Sequence, residues 1–232
     1  MAGGTHMTTT DADRKDISST DRPTDRRAID APQGNRGGWR REIVSLLAFV
    51  VALAAARSSL ADHYHVPTGS MIPTVAIGDH VVVNKMAYGL RVPFLGRTLV
   101  GFAGPTRGDV VVLDSPEDGA TLLKRVVAVP GDLVEVHGGL LSINGNPVEV
   151  ELAHGGAVVE RLGTHPHVLQ LTRGGGYDYG PVVVGKDQFL VLGDNRGESH
   201  DGRAFGLVER QAIFGRALAV WLRHGGLCWR RL

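Results

Sequence analysis

One long apolar run, residues 43–56, limits what this chain can fold into. The run contains 14 residues without a charge, which is only ~21 Å of helix at 1.5 Å per residue. A bilayer core of ~30 Å needs ~20 residues, so a spanning helix must continue through Arg57 to Ala61, with the Arg57 side chain reaching the interface. We therefore predict one transmembrane helix over residues 39–61.

Basic residues are distributed unequally about this run. Six arginines between residues 22 and 41 precede it, and only Arg57 follows within roughly the next twenty residues. Because basic flanks favour the cytoplasmic side, residues 1–38 are predicted to be cytoplasmic and residues 62–232 extracytoplasmic. Two alternatives remain open. The alanines at 54–56 resemble a signal-peptide cleavage site, which would release a soluble protein, and the run could also be a buried core helix.

The segments on either side of the run differ in composition. Residues 1–38 are mostly Thr, Asp, Arg, Gly and Pro, so they cannot bury enough apolar surface to offset the entropy of ordering and are predicted to be a disordered tail. The chain has 32 glycines and only 6% aromatic residues, which is typical of β-strands joined by many turns. Strand patterns occur at residues 80–85, 108–113, 121–128 and 189–192, and residues 212–222 form a last strand or short helix. The sequence predicts a mainly β domain.

Two bulk properties exclude classes of function. The net charge is +1 and the basic residues form no stripe, so we expect no nucleic-acid partner. The only cysteine is Cys228, which excludes an internal disulfide and a cysteine-based zinc site.

The stretch Val66–Thr74 carries the first chemical signal. Pro67 and Pro73 each fix their own φ and push the preceding residue towards extended geometry. The sequence therefore predicts that the Ser70 hydroxyl is held on a stiff extended segment, with Gly69 allowing another chain to approach. The alternative is an ordinary Ser/Thr/Pro loop that leaves a membrane anchor.

Lys124 carries the second signal, because it lies on a predicted strand that ends in a Pro-Gly turn. Alternation places Lys124 on one face with Leu122 and Val126. A charged amine is costly to desolvate there, so we expect its pKa to fall from ~10.4. Alternatively, Lys124 pairs with a carboxylate or turns to solvent. Arg125 points to the opposite face and suits a structural ion pair.

A polar loop after the predicted strand 189–192 carries the third signal. Asp194, Asp201 and Arg203 are close enough in sequence for bidentate ion pairs that would lock the loop. The Ser199 hydroxyl could orient another group. The loop could instead bind calcium through Asp194, Asn195 and Asp201, although it lacks the regular alternation of an EF-hand loop.

Residues 138–185 are interpreted as an inserted region. Turn signals flank a short predicted strand, residues 140–143, and are followed by loose Gly, His and Tyr positions. His165 and His167 could bind a metal, but they lack a partner cluster, so we interpret them as exposed loop histidines. We predict no metal site and no cofactor.

Three segments, in this order after one N-terminal anchor, resemble the conserved boxes of bacterial type I signal peptidases: Pro67–Thr74, Leu123–Asp132 and Gly193–Arg203. Gly108–Val112 resembles a further box, and the resemblance covers roughly residues 38–220. It implies a membrane-bound serine endopeptidase that removes signal peptides from secreted preproteins. It also implies an antiparallel β catalytic domain of signal-peptidase type, here residues 62–232, that contains the inserted β region.

The resemblance implies a role for each matching residue. Ser70 would be the nucleophile and Lys124 the general base, the Ser70 N–H and the Thr68 hydroxyl would form the oxyanion hole, Ser199 would position the base, and Asp201 with Arg203 would form a bracing ion pair. Two positions depart from the family pattern. Thr68 replaces the commoner serine but keeps a hydroxyl, and Gly202 stands where serine is usual.

The family also implies partners and a location. Its substrates are preproteins with small residues at the −1 and −3 positions, and we expect a monomer in the bacterial plasma membrane. Three alternatives stay open: a specialised pilin or conjugation peptidase, a repressor-type autoprotease, and a catalytically silent membrane-tethered interaction module. A histidine triad is disfavoured because the sequence has no G-x-S-x-G motif.

Overall fold

The computed structural model describes residues 36–91, 98–153, 157–162 and 165–232. The chain divides into two compact units, Met1–Val44 and Ser45–Leu232. As predicted, the fold is mainly β. The helices are α1 (Arg36–Leu60) and α2 (Gly202–Phe205). The strands are β1 (Ala61–His65), β2 (His80–Asn84), β3 (Gly89–Arg91), β4 (Thr98–Gly101), β5 (Val110–Asp114), β6 (Thr121–Ala128), β7 (Leu133–His137), β8 (Leu140–Ile143), β9 (Asn146–Pro147), β10 (Val150–Leu152), β11 (Val158–Leu162), β12 (His165–Leu169), β13 (Tyr179–Val183), β14 (Gln188–Leu192), β15 (Val208–Glu209), β16 (Ile213–Arg223) and β17 (Gly226–Arg231).

Helix α1 occupies the segment for which we predicted a transmembrane helix, residues 39–61. A helix is indeed present, and the side chains from Trp39 to Val50 are exposed. Among the residues that the structure describes, however, no helix is long and apolar enough to cross a membrane. The uncharged stretch is short because Glu42 and Arg57 bound it. Residues 1–35 of the predicted tail lie outside the described residues.

The largest sheet has the strand order β1-β2-β16-β5-β6-β14-β15, and β17 pairs with β16. The neighbouring strands pair antiparallel. Strands β2, β5, β6 and β14 match the four strand patterns read from the sequence, and the ambiguous last segment is strand β16. Lys124 lies on strand β6 of this sheet, and strand β14 ends where the polar loop begins.

The predicted insertion, residues 138–185, is more regular than its sequence suggests. Strand β8 has the predicted bounds and belongs to the sheet β13-β7-β8-β9, and a separate sheet has the order β10-β11-β12. The interpretation of His167 as an exposed loop histidine is wrong, since it is buried in β12. Its cross-strand partner is Glu160. The sequence alone does not reveal that this charged partner is buried.

The apolar core reaches the segment that contains Ser70. Val110 and Val112 of β5 pack in one cluster with Met71 and Val75, whereas the intervening residues of β5 enter a different cluster. Both faces of β5 are therefore covered. Full burial of an aliphatic side chain contributes roughly 1.5–3 kcal/mol, so Met71 and Val75 fix the Ser70 segment against the sheet.

Candidate active site

Ser70 lies in a turn and not on the extended segment predicted from the flanking prolines. The Ile72 N–H donates to the Gly69 carbonyl at 3.1 Å, and the Val75 N–H donates to the Met71 carbonyl at 2.9 Å. A proline restricts only itself and the residue before it, so residues 68–71 between the two prolines stay free to turn. Burial of the apolar side chains at both ends then selects the turn.

Lys124 Nζ lies 2.7 Å from Ser70 Oγ, and both side chains are removed from solvent. Lys124 is 3% exposed and Ser70 is 9% exposed. Burial lowers the pKa of Lys124 from 10.5 to about 8, although the charges of Asp201 and Asp194 act in the opposite direction. Within the described part of the chain Lys124 forms no ion pair, so it neither pairs with a carboxylate nor turns to solvent. A neutral amine is therefore accessible near pH 8 beside the hydroxyl.

Arg125, the next residue on β6, holds the start of the polar loop. Its Nε and Nη2 donate to the two carboxylate oxygens of Asp194 at 2.9 and 2.8 Å, and its Nη1 donates to the Gly108 carbonyl at 2.7 Å. The Thr74 hydroxyl donates to the same carboxylate at 2.5 Å. Burial alone would raise the pKa of Asp194, but the Arg125 charge and hydrogen bonds hold it below its usual range. The pair joins the lysine strand, the loop and the serine turn.

A second bidentate pair closes the other end of the loop. Arg203 Nε and Nη2 each donate to Asp201 at 2.9 Å, and the Gly193 N–H donates to Asp201 at 3.0 Å. Burial would raise the pKa of Asp201, but the Arg203 hydrogen bonds and charge lower it. Since an arginine occupies the carboxylates of both Asp194 and Asp201, the calcium alternative does not fit this loop.

Ser199 lies next to Gly193, the glycine that also approaches the carbonyl of Ser70. A Cβ atom added at Gly193 would lie 2.2 Å from Ser199 Oγ and 2.4 Å from the Ser70 carbonyl oxygen, so only glycine permits this approach. The Ser199 hydroxyl is buried and helps to lower the pKa of Asp201. It forms no hydrogen bond of normal geometry with any residue that the structure describes.

Asn195 contacts the serine turn directly, a role that the sequence analysis did not assign. Its N–H donates to the Ser70 carbonyl at 3.1 Å, and its side-chain Nδ2 donates to the Gly69 carbonyl at 3.2 Å. The sequence offered Asn195 only as a calcium ligand, because its position in a polar loop does not reveal which distant turn it meets. Thr68 is exposed at the edge of the same turn.

Gly202, which departs from the expected serine, is tightly packed. A Cβ atom there would lie 2.7 Å from Leu190 Cδ1 and 2.9 Å from the Val191 carbonyl oxygen. The glycine lets helix α2 lie close to strand β14. The absence of a serine side chain therefore leaves no gap, because helix α2 packs closer to strand β14 at this position.

Comparisons with known proteins identify the family of this chain. The family model described as signal peptidase, peptidase S26, matches residues 39–222. Signal peptidase I of Pseudomonas fluorescens is 34% identical over 188 residues, which cover 72% of this chain and 66% of that protein. The chain thus spans just under two thirds of the length of this relative.

Two further relatives are matched over a larger share of their length. Signal peptidase I of Leptolyngbya laminosa is 33% identical over 74% of this chain and 73% of its own, and signal peptidase I P of Bacillus subtilis subsp. natto is 34% identical over 76% and 83%. A solved signal peptidase I from Enterococcus faecalis V583 is 26% identical and covers 50% of this chain and 98% of its own, with a TM-score of 0.35, too low to support a structural argument.

Proposed function

The chain belongs to the signal peptidase family, peptidase S26, and from that premise we propose that it is a serine endopeptidase that removes N-terminal signal peptides from preproteins. The observation that carries the proposal is the 2.7 Å hydrogen bond between Lys124 Nζ and Ser70 Oγ in a buried setting. Serine needs a base to become a nucleophile, and lysine serves as that base only when its pKa approaches the working pH. The lowered pKa of Lys124, about 8, meets that requirement.

The proposed reaction uses two covalent steps. Ser70 Oγ attacks the scissile carbonyl carbon while its proton passes to Lys124 Nζ, and the tetrahedral intermediate then expels the amine, which takes that proton. A water molecule next loses a proton to Lys124 and attacks the acyl-serine ester. The tetrahedral intermediate then releases the carboxylate product and expels the Ser70 oxygen, which takes the proton back from Lys124. We assign the developing oxyanion to the Ser70 N–H and the Thr68 hydroxyl, each donor being worth roughly 3–4 kcal/mol.

We assign Ser199 to the orientation of Lys124. Its hydroxyl is buried, and a Cβ atom at Gly193 would approach both this hydroxyl and the Ser70 carbonyl oxygen. A buried hydroxyl is stabilised by a hydrogen-bond partner, and in this proposal the Lys124 amine is that partner during the reaction. Asp194 with Arg125 and Asp201 with Arg203 are the structural ion pairs of the site in this proposal.

The proposed substrates are preproteins with small residues at the −1 and −3 positions, cleaved by a monomer at the bacterial plasma membrane. The tail would be cytoplasmic and the peptidase domain extracytoplasmic. The arginine asymmetry around residues 43–56 and the exposed apolar side chains of α1 support membrane attachment.

Carbonate extraction of cell membranes tests the attachment, and accessibility of an N-terminal tag to external protease tests the orientation. Release of the protein by carbonate, or cleavage of the tag in intact spheroplasts, would contradict this topology.

Cleavage of a model preprotein in detergent tests the chemistry. Wild type should cleave at the signal-peptide junction, whereas Ser70→Ala and Lys124→Met should not, and common serine-protease inhibitors should have little effect. Cleavage that survives Lys124→Met would remove lysine as the base and reopen a histidine mechanism. A wild type that cleaves no preprotein would favour the specialised-peptidase or interaction-module alternatives.

A further inference from the structure

The inserted region is hydrogen-bonded to the loop that holds the serine turn. At the end of β12, the Gln170 N–H donates to the Asp194 carbonyl at 2.9 Å, and the Arg196 N–H donates to the Gln170 carbonyl at 2.8 Å. Gln170 thereby forms a parallel bridge with Asn195, the residue that contacts Ser70. The insertion therefore reaches the candidate active site through the backbone.

A buried ion pair strengthens this connection. Glu160 on β11 is 0% exposed, and its carboxylate accepts from Arg196 Nη2 at 2.6 Å and Nη1 at 3.3 Å. Burial would raise the pKa of Glu160, but Arg196 and His167 hold it below its usual range, so the carboxylate stays charged. Arg196 also donates from Nε to the Gly193 carbonyl at 3.2 Å. The Arg196 guanidinium thus links Glu160 of the insertion to Gly193, which lies against Ser70.

A second connection passes through a neutral side chain. The Thr172 hydroxyl, in the insertion, donates to Asn195 Oδ1 at 3.1 Å. A side-chain amide has one accepting and one donating end, so this hydrogen bond directs Asn195 Nδ2 towards the Gly69 carbonyl, 3.2 Å away. Loss of the hydroxyl would allow the amide to rotate away from the serine turn.

The energetics argue against a purely stabilising role for the ion pair. A fully buried pair is often no more stabilising than apolar residues of the same volume, because desolvation offsets the attraction. An ion pair does fix geometry, since the planar guanidinium accepts few orientations of its partners. At this position, the geometry that it fixes is that of Gly193 and the adjoining serine turn.

We propose that Glu160 and Thr172, both in the 138–185 insertion, are positioning residues for the Ser70–Lys124 pair. Glu160 acts through Arg196 and Thr172 acts through Asn195. The proposal rests on the proposed peptidase function. Small displacements of a nucleophile reduce the rate strongly, so loosening either connection lowers kcat more than it changes KM.

The test compares Glu160→Gln, Thr172→Val and the control Glu151→Gln in the full-length protein. Glu151 forms an exposed bidentate pair with Arg161 in the same small sheet, and among the described residues no hydrogen bond or ion pair joins Glu151 to the loop. On a model preprotein, we expect kcat to fall about 10- to 100-fold for Glu160→Gln and about 3- to 10-fold for Thr172→Val, with KM within about 3-fold. Glu151→Gln should match wild type.

Hydrogen exchange of the Asn195 amide gives a readout that does not depend on activity. Exchange should accelerate in Glu160→Gln and Thr172→Val at temperatures where both remain folded, because this N–H bonds to the Ser70 carbonyl. Thr172→Val is a near-isosteric change at a half-buried position and carries the test if Glu160→Gln does not fold.

Two results distinguish the possible failures. If Thr172→Val has the same kcat and the same Asn195 exchange rate as the Glu151→Gln control, the positioning role is overturned. A folded Glu160→Gln with the same values would overturn it independently. A wild type that cleaves no preprotein would contradict the proposed function instead, and the exchange rates would still decide whether the insertion holds the serine turn.

Discussion

The buried lysine of the dyad and the buried arginine–carboxylate pairs around it lie in the same unit but meet opposite conditions. Lys124 has a hydrogen bond to Ser70 and no carboxylate partner among the described residues, and its pKa is lowered to about 8. Asp194 and Asp201 are equally buried, yet each receives two hydrogen bonds from an arginine, and the pKa of each carboxyl is lowered. The lysine is moved towards neutrality, while the carboxyls are kept charged.

The difference shows how one small region separates the group that accepts a proton from the charged groups that hold the backbone in place. Burial penalises any charge, and only a well-placed opposite charge with matching hydrogen bonds compensates for it. Where that partner is present, the charge is kept and fixes the backbone. Where it is absent, the group tends to lose its proton, which is what a general base requires. Substitutions that remove one partner of a charged pair, or the lysine itself, test this separation.

Asp194→Asn should be the most destabilising change. It leaves the Arg125 guanidinium buried without its counter-charge, and breaking a buried pair from one side costs roughly 3–5 kcal/mol. Urea unfolding measures the loss, and removing the second charge as well, in Asp194→Asn with Arg125→Met, should recover part of it. If Asp194→Asn alone were as stable as the Glu151→Gln control, the buried pair would not support the loop.

Lys124→Met should have the opposite effect on stability while abolishing cleavage. With the folded pKa near 8 and the unfolded value near 10.5, the full cost of the buried ammonium is present below pH 8 and disappears as the pH rises past 10.5. The variant should therefore exceed wild type by about 1–3 kcal/mol at pH 7, and the difference should shrink between pH 8 and 10.5. Urea unfolding at several pH values checks the sign, and a variant less stable than wild type at pH 7 would contradict it.

Gly202→Ser should have a smaller effect on stability. The added Cβ would lie within 3 Å of Leu190 and the Val191 carbonyl, so helix α2 must shift, at a cost of about 1–2 kcal/mol. Because the dyad and both arginine pairs remain, cleavage of a preprotein should fall by less than about 3-fold at temperatures where the variant is folded. A stabilised variant would mean that the loop has room for the serine usual in the family.

The strands were predictable because they follow local rules, whereas the pairing of Ser70 with Lys124 was predicted from the resemblance of three segments to the signal peptidase family. Alternation and turn residues identified strand β6, and the apolar neighbours of Lys124 gave the direction of its pKa shift. The turn at Ser70 was missed because its conformation is selected by burial of Met71 and Val75 in a distant core. Local proline rules contain no such information.

Contacts between distant segments were the part that the sequence could not supply. Nothing near Glu160 distinguishes it from an exposed charge on an edge strand, and its partner Arg196 lies 36 positions away. Asn195 and Thr74 belong to recognised segments, yet their contacts depend on how those segments meet in space. Pairing across such separations follows from the tertiary fold.

Titration of the Lys124 side chain by NMR, with the lysines isotopically labelled and Lys124→Met used for assignment, tests the central claim most directly. The account predicts a pKa of about 8 for Lys124 in the folded protein, with a rise in kcat/KM for a model preprotein over the same pH range. A Lys124 pKa at its ordinary value of 10.5 would contradict it, because the buried amine would then remain charged at the pH of catalysis.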